Sequence, residues 1–490
     1  MEHLEQLLEK ARNYEKEQVL KIQKDMRPTF HVSAPIGWIN DPNGLSEFKN
    51  EYHLFFQYHP YSTSWGPMHW GHVKSKDLVK WEILPVALAP DSPYDDAGCF
   101  SGSAIDVNGV HILMYTGVSH SCDEDGNTQI EQVQCIASGG GVEYEKWKEN
   151  PVITAKDIPF NCSKEDFRDP KIWEHNGTYY VVAASRSEDK SGQIVLFQSE
   201  NLKDWTFRTV LAKCEHRYGK MWECPDFFSL GDKHILVLSP QDMQAKGLEF
   251  YNGNHAIYFS GTFDYETCRF KEKIVKSLDY GLDFYAPQTM ETADGRRIMI
   301  AWMKSWDTNF MPEETNWNGM MTVPRELNIS EYVILQNPVK EIENYYKNQV
   351  LYEDVSLSGS QQLDGMKGRV LDMTIYIKSG NYKKFVIELA KNDSYCITCT
   401  FFPDKGEFTF DRTYSGLNRD VPCSRTMKVQ NKAEDVTIRI LLDKYSAEIF
   451  INNGEQVMSN TFFTPLEAND IVFDVEGILT ADINMHEICV

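Results

Sequence analysis

The chain is short of positive charge. Lysine and arginine number 49 against 72 aspartates and glutamates, a formal net charge of −23 over 490 residues. That balance repels a polyanion, so nucleic acid is excluded as the expected partner. Long apolar runs are also missing, and none approaches the length of a membrane span. The first residues, Met1-Glu2-His3-Leu4-Glu5, have neither the basic start nor the apolar stretch of a secretory leader. A cytoplasmic protein without a membrane partner is expected. Paired cysteines are scarce: eleven are scattered along the chain, and only Cys396 and Cys399 form a Cys-x-x-Cys. Their run, Tyr395 to Phe402, alternates like a strand, and a spacing of three sends the two thiols to opposite faces. No second pair or flanking histidines follow, so no zinc site is expected and the thiols are read as reduced and mostly buried.

The chain does have length and apolar material. A length of 490 residues exceeds one ordinary core and predicts two domains, and 42% hydrophobic residues suffice to bury both. A helical stripe of Leu4, Leu7, Leu8 and Ala11 predicts a short surface helix from Glu2 to about Lys24, with Pro28 beyond it. From His31 to about Leu327, short runs rich in Val, Ile, Tyr, Phe and Trp alternate with Gly, Asn and Asp turns, an all-β signal. A repeat lies under it: Asp41-Pro42-Asn43-Gly44-Leu45, Ser101-Gly102-Ser103-Ala104-Ile105, Arg168-Asp169-Pro170-Lys171-Ile172, Glu223-Cys224-Pro225-Asp226-Phe227 and Ala286-Pro287-Gln288-Thr289-Met290. Two closing phrases also recur, Ser75 to Trp81 and Ser199 to Trp205. Five repeats predict a five-bladed β-propeller whose innermost strands bring Asp41, Ser101, Asp169, Glu223 and Gln288 to one axial pocket. Alternation resumes after Val350 without the repeat and predicts a β-sandwich. The expected organisation is an N-terminal helix (1–27), a propeller (28–330), a partly helical linker (331–349) and a sandwich (350–490).

The stretch Trp38-Ile39-Asn40-Asp41-Pro42-Asn43-Gly44 organises the rest. Pro42 fixes its own φ and pushes Asp41 toward an extended conformation, while Gly44 permits a tight return. Asn-Asp-Pro-Asn-Gly is turn chemistry, and a capped turn is the bland reading. Alone, Arg168-Asp169-Pro170 reads as a surface ion pair and Glu223 as a charged rim. Three acids at equivalent points of one repeat form a better candidate for chemistry. Two carboxylates flanking a glycosidic bond are enough for hydrolysis with retention, and a third can hold sugar hydroxyls. Arg168 offers a planar donor fork for hydroxyls or a carboxylate.

The motifs from Trp38 to Gly44, Phe55 to Pro60, Trp65 to Gly71, Phe100 to Ser103, Phe167 to Pro170, Trp222 to Asp226 and Asp283 to Gln288, closing on Met321 to Leu327, occur in the order of glycoside hydrolase family 32, which the chain resembles. That family contains the invertases, fructanases and sucrose-6-phosphate hydrolases. The resemblance implies a β-fructofuranosidase acting on a small saccharide, with Asp41 as nucleophile, Glu223 as general acid and then base, and Asp169 as a transition-state stabiliser that binds sugar hydroxyls. It implies Asn40, Gln57 and Ser101 as hydroxyl binders, Arg168 beside the acids, and Trp38, Trp65, Phe100 and Trp306 as pocket walls. It implies no metal or organic cofactor. Without a leader, sucrose 6-phosphate is the expected substrate, with Lys220, Lys304, Arg217 and His216 as candidate phosphate contacts. A plain invertase or fructan hydrolase is the alternative within the class; a non-catalytic carbohydrate-binding propeller is the alternative outside it. Retention predicts Asp41 and Glu223 carboxyls about 5–5.5 Å apart. The oligomeric state is left open.

Overall fold

The computed structural model describes residues 6–22, 26–122, 128–311, 315–417, 419–429 and 433–490. Five antiparallel sheets follow one another along the first part of the chain. Their innermost strands are Gly37–Phe48, Gly98–Val107, Phe167–His175, Trp222–Leu230 and Tyr285–Glu291. Each touches the next, and the fifth touches the first, closing a ring around an axial channel. Closure is fastened by Trp317–Asn318, a segment of the fifth blade's chain that pairs in parallel with Gly37 and Trp38 of the first. The fold is a five-bladed β-propeller.

The repeat has a physical basis. All five inner strands break register at the repeat: between Ile39 and Pro42, Phe100 and Gly102, Arg168 and Lys171, Glu223 and Asp226, and Tyr285 and Gln288. The bulges leave Pro170, Pro225 and Pro287 out of the ladder, so they lose no hydrogen bond there, and Pro42 stands at the edge of its bulge, opposite Phe56. Gly102 stands in the second blade instead, where a Cβ would lie 2.0 Å from the Met114 carbonyl oxygen. Asp169, Cys224 and Ala286 adopt positive φ at the bulges. The closing phrases are also one structure used twice. Leu78 and Leu202 take φ of 64° and 67°, and each accepts the indole N–H of the tryptophan three residues on, at 3.0 and 2.9 Å.

Three features differ from the sequence reading. The helix spans Leu7–Val19, ending well before Pro28; its last carbonyls are taken by Lys21 and Ile22 in three-residue turns. Leu4 and Lys24 lie outside the described residues. Ala11 is fully buried and packs with the core of the first and fifth blades. Part of the expected linker is strand: Val333–Pro338 pairs with Arg325–Ser330 and completes the fifth blade, and only Lys340–Tyr345 is a 3-10 helix. The sandwich then starts at Tyr346.

The C-terminal domain is a sandwich whose layers share strands. Leu371–Lys391 pairs through its first half with Val436–Asp443 and through its second with Ile397–Phe402. Asp470–Ile488 runs beside it through both halves, and Tyr346–Gln361 runs along the other edge of Asp470–Ile488, with bulges at the bend. The inward faces form one apolar core. Among the described residues no helix is long and apolar enough to cross a membrane.

The two domains are joined by buried charge as well as apolar packing. His31 is held through Nδ1 by Asp443 at 2.8 Å and through Nε2 by Glu448 at 2.9 Å, all three side chains fully buried. Glu448 also takes Arg325 at 2.5 Å, and Arg325 reaches Asp279 at 3.0 Å. Both ring nitrogens face carboxylates, so the ring is an imidazolium. Burial alone would lower its pKa, but the two carboxylates raise it from 6.5 to about 9. A folded-state pKa above the unfolded value stabilises fully below about pH 6.5, and the gain is lost as pH rises through about 9. We expect the unfolding free energy to fall between pH 7 and 10 by about 3 kcal/mol, with a matching fall in melting temperature, and His31→Gln to flatten that fall. A His31→Gln profile parallel to that of the wild type would contradict the assignment.

Candidate active site

The bulges deliver the three acids to one end of the channel. Ser101 Oγ donates to Asp41 Oδ2 at 2.6 Å, and Asn40 Nδ2 donates to Oδ1 at 3.0 Å. Asn40 is set in turn by the Trp38 indole N–H at 2.8 Å. The Cys224 thiol reaches Asp41 Oδ2 at 3.4 Å and Asp169 Oδ2 at 3.7 Å, and its backbone N–H donates to Asp169 Oδ2 at 2.9 Å. The residue after Glu223 therefore touches both other acids. Beside them the channel narrows to a small void whose lining includes Pro42, Pro170, Pro225 and Pro287. It opens again at the opposite face into a cavity of about 360 Å³ lined by the far ends of the inner strands.

Glu223 is held at both oxygens. Arg168 donates to Oε1 from Nε at 3.2 Å and Nη2 at 3.1 Å. The Tyr285 hydroxyl lies 2.7 Å from Oε2 and 3.0 Å from the Ser239 carbonyl oxygen. That hydroxyl has one hydrogen. Given to Glu223, it steadies a carboxylate; given to Ser239, it leaves the phenol oxygen to accept a proton carried by Glu223. One contact thus fits Glu223 with or without a proton. Burial and the Glu223 charge hold the Tyr285 phenol protonated.

The electrostatics follow from crowding. Burial raises the Asp41 pKa; the Ser101 hydrogen bond opposes this, and the Glu223 charge adds to it. Burial likewise raises Asp169 well above the carboxylate range; Arg168 opposes it, and Glu223 and Asp41 add to it. Arg168 is the only cation among these groups, spread over Glu223, Asp166 at 3.1 Å and Asp169 at 3.9 Å. Its fork is occupied by carboxylates.

The wall is a small apolar cluster of Trp38, Met68, Tyr285, Ala286 and Trp302, with Phe100, Cys224 and Trp306 against it. Trp306 is half-buried, nearly parallel to Trp38 at 6.1 Å and edge-on to Trp302 at 5.2 Å. Trp65 is 49% exposed and edge-on to Phe100 at 6.0 Å, which makes it a rim residue. Gln57 is buried and donates to the Cys99 carbonyl at 3.0 Å. Gln288 bridges blades, donating to the Gly102 carbonyl at 2.9 Å and accepting from the Leu45 N–H at 2.8 Å.

One expectation is overturned. Lys304 is fully buried, with its amine on the Phe310 carbonyl and its pKa lowered by burial to about 7, so it cannot meet a substrate phosphate. Arg217 pairs with Glu272 at 3.4 Å. His216 is exposed, and Lys220 is exposed two residues before Trp222, 3.1 Å from Asp242. Sequence reasoning missed Cys224, Tyr285 and Trp302. Tyr285 and Cys224 stood inside quoted motifs, but neither side chain advertises chemistry without its neighbours. Among the described residues no His, Cys, Asp or Glu cluster could hold a metal ion.

Comparison with known proteins gives a consistent result. The profile described as "Glycosyl hydrolases family 32 N-terminal domain" matches residues 31–338, and that described as "Glycosyl hydrolases family 32 C terminal" matches 341–487. A sucrose-6-phosphate hydrolase of Zymomonas mobilis is 37% identical over 484 residues, covering 94% of this chain and 92% of that protein. A raffinose invertase of Escherichia coli is 37% identical over 450 residues, covering 91% of each. Among solved structures, a mutant β-fructofuranosidase of Bombyx mori in complex with sucrose superposes with a TM-score of 0.86 at 33% identity, covering 98% of both chains.

Proposed function

We propose a function from one premise: the chain belongs to glycosyl hydrolase family 32. It is a β-fructofuranosidase, a hydrolase that releases terminal fructose from β-fructofuranosides. The observation that carries the mechanism is the grouping of Asp41, Asp169 and Glu223 at one mouth of the channel, tied together through Cys224. Asp41 attacks the anomeric carbon of fructose as its carboxylate. The bond from that carbon to the glycosidic oxygen breaks, and Glu223 gives its proton to that oxygen as it leaves. Glu223 then takes a proton from water, the water oxygen attacks the same carbon, and the fructosyl ester opens to restore the Asp41 carboxylate. Two displacements return the original configuration. Asp169 and Asn40 are suited to hold fructose hydroxyls. Ser101 holds the nucleophile, and Arg168 with Tyr285 governs the proton on Glu223. Trp38, Phe100 and Trp306 wall the pocket, with Trp65 at its rim. NMR of the first-formed fructose is expected to show the β anomer; the α anomer would refute the double displacement.

Sucrose 6-phosphate is the proposed substrate, acting inside the cell, where a sugar phosphate is met. Support comes from relatives bearing that name. The protein's negative charge opposes an anion at long range, but salt screens that field within about 8 Å. A local contact from Lys220 or His216 can therefore dominate, and a charge-assisted hydrogen bond contributes about 1.5–3 kcal/mol, or roughly ten- to hundredfold in affinity. We expect kcat/KM for sucrose 6-phosphate to exceed that for sucrose by about this factor, mainly through KM, with a gap that narrows as salt is added. Equal efficiencies would remove the phosphate and leave the fructosidase.

A further inference from the structure

Asp283 lies where the two domains meet. Its Oδ2 accepts from Arg412 Nη1 at 2.7 Å, from the Thr461 N–H at 2.7 Å and from the Thr461 hydroxyl at 3.1 Å, all in the sandwich. Its Oδ1 accepts from the Thr308 hydroxyl at 2.5 Å, in the propeller. Arg412 and Asp283 are both fully buried. The other Arg412 contacts are also internal to the sandwich, with the Thr461 carbonyl at 2.7 Å and the Pro422 carbonyl at 3.1 Å.

Thr308 belongs to the loop from Met303 to Met311 that carries Trp306. The sandwich grips this loop a second time. Phe463 meets Phe310 with ring centroids 6.0 Å apart, and the Lys304 ammonium lies 5.3 Å from each ring. Asp283 also stands two residues before Tyr285, whose hydroxyl contacts Glu223. One buried carboxylate, charged from the sandwich side, therefore anchors both a wall of the site and the strand that holds the acid.

We propose that the sandwich sets the geometry of the active site, with Arg412 as a positioning residue that fixes Asp283, and through it the Trp306 loop and the start of the Tyr285 strand. This rests on the placement of Trp306 and Glu223 in the site made above. The physical reason is the cost of an unpaired buried charge. Without its guanidinium, Asp283 is a buried carboxylate hydrogen-bonded only by the Thr461 and Thr308 groups, with the Lys304 and Arg425 charges near but not bonded to it, and it must turn or hydrate. Each of these loosens the Thr308 bond, and Trp306 then loses the register that stacks it on Trp38.

The test measures KM and kcat on sucrose and thermal unfolding for Arg412→Met, Arg412→Lys and Thr308→Val. Arg412→Met is expected to lower kcat/KM by about ten- to hundredfold, because the acid and the wall are displaced together. Arg412→Lys, which keeps the charge, should recover part of that loss. Thr308→Val releases only the loop and should raise KM by about two- to tenfold with kcat held. If Arg412→Met does not fold, Thr308→Val decides alone. Folded Arg412→Met or Thr308→Val protein with wild-type KM and kcat, even with a lower melting temperature, would overturn the proposal. A wild-type protein that releases no fructose from either substrate would instead overturn the function itself.

Discussion

Replacing Asp41 with alanine is expected to lower kcat on sucrose by about 10⁴-fold or more without unfolding the protein. The size follows from the role proposed for it: among the described residues no other group stands in place to form the covalent ester, and Asp169 is committed to the Cys224 N–H. The fold should tolerate the change and gain from it. Asp41, Asp169 and Glu223 share one buried mouth with a single guanidinium, and burial and mutual repulsion push up the pKa values of both aspartates. Deleting one carboxyl relieves that repulsion, so the melting temperature of Asp41→Ala should equal or exceed that of the wild type. The same burial sets the acid side of the pH profile. Asp41 must be ionised to attack, and its pKa lies above the usual 3.8, so kcat/KM should fall at a correspondingly higher pH as acid is added. Steady-state kinetics and a melting curve check all three points; an alanine variant retaining about a hundredth of wild-type turnover would remove Asp41 from the nucleophile's place.

How far the sequence carries can be judged residue by residue. Blade number was readable because bulge chemistry repeats: a proline or glycine is tolerated mid-strand only where the ladder is broken, and the break recurs in every blade. The twin closing phrases were readable for the same reason, being one turn with a left-handed leucine and a tryptophan lock. The fifth blade's last strand was not readable, because Val333–Pro338 runs Val-Ile-Leu and then Gln-Asn-Pro with no apolar–polar alternation and sits next to a 3-10 turn, which together resemble a linker. Lys304 was misread because nothing in a linear sequence shows a lysine enclosed by Phe310 and by Phe463, about 160 residues away. The Tyr285 contact was hidden likewise: its hydroxyl meets a glutamate one blade earlier, a pairing set by the ring and not by any local pattern. His31, read as the start of the propeller's all-β texture, is bonded to two carboxylates of the sandwich. Local chemistry was legible in the sequence; contacts between blades and between domains were not.

Glu223→Ala should separate the two halves of the reaction. With sucrose, the leaving oxygen needs a proton and the loss should be about 10²–10⁴-fold. With an aryl or other activated fructoside, the leaving group departs as an anion, so Asp41 can still form the ester and much of the first step should return. The ester then accumulates, because no base remains to take a proton from water. Azide needs no base: its nitrogen attacks the anomeric carbon, the ester bond breaks, and the Asp41 carboxylate is restored. A burst of released leaving group, followed by azide-accelerated turnover giving a β-fructosyl azide, is the expected result. The Arg168 fork and the Tyr285 hydroxyl, both aimed at the missing carboxyl, remain in the variant. Two cationic or neutral donors facing an empty place favour an entering anion, which places azide where the water was. The decisive contrast is with Asp41→Ala. There an activated leaving group should bring no recovery, because the group that attacks is gone. If the activated substrate rescues Asp41→Ala and leaves Glu223→Ala inert, the roles of the two carboxylates are reversed.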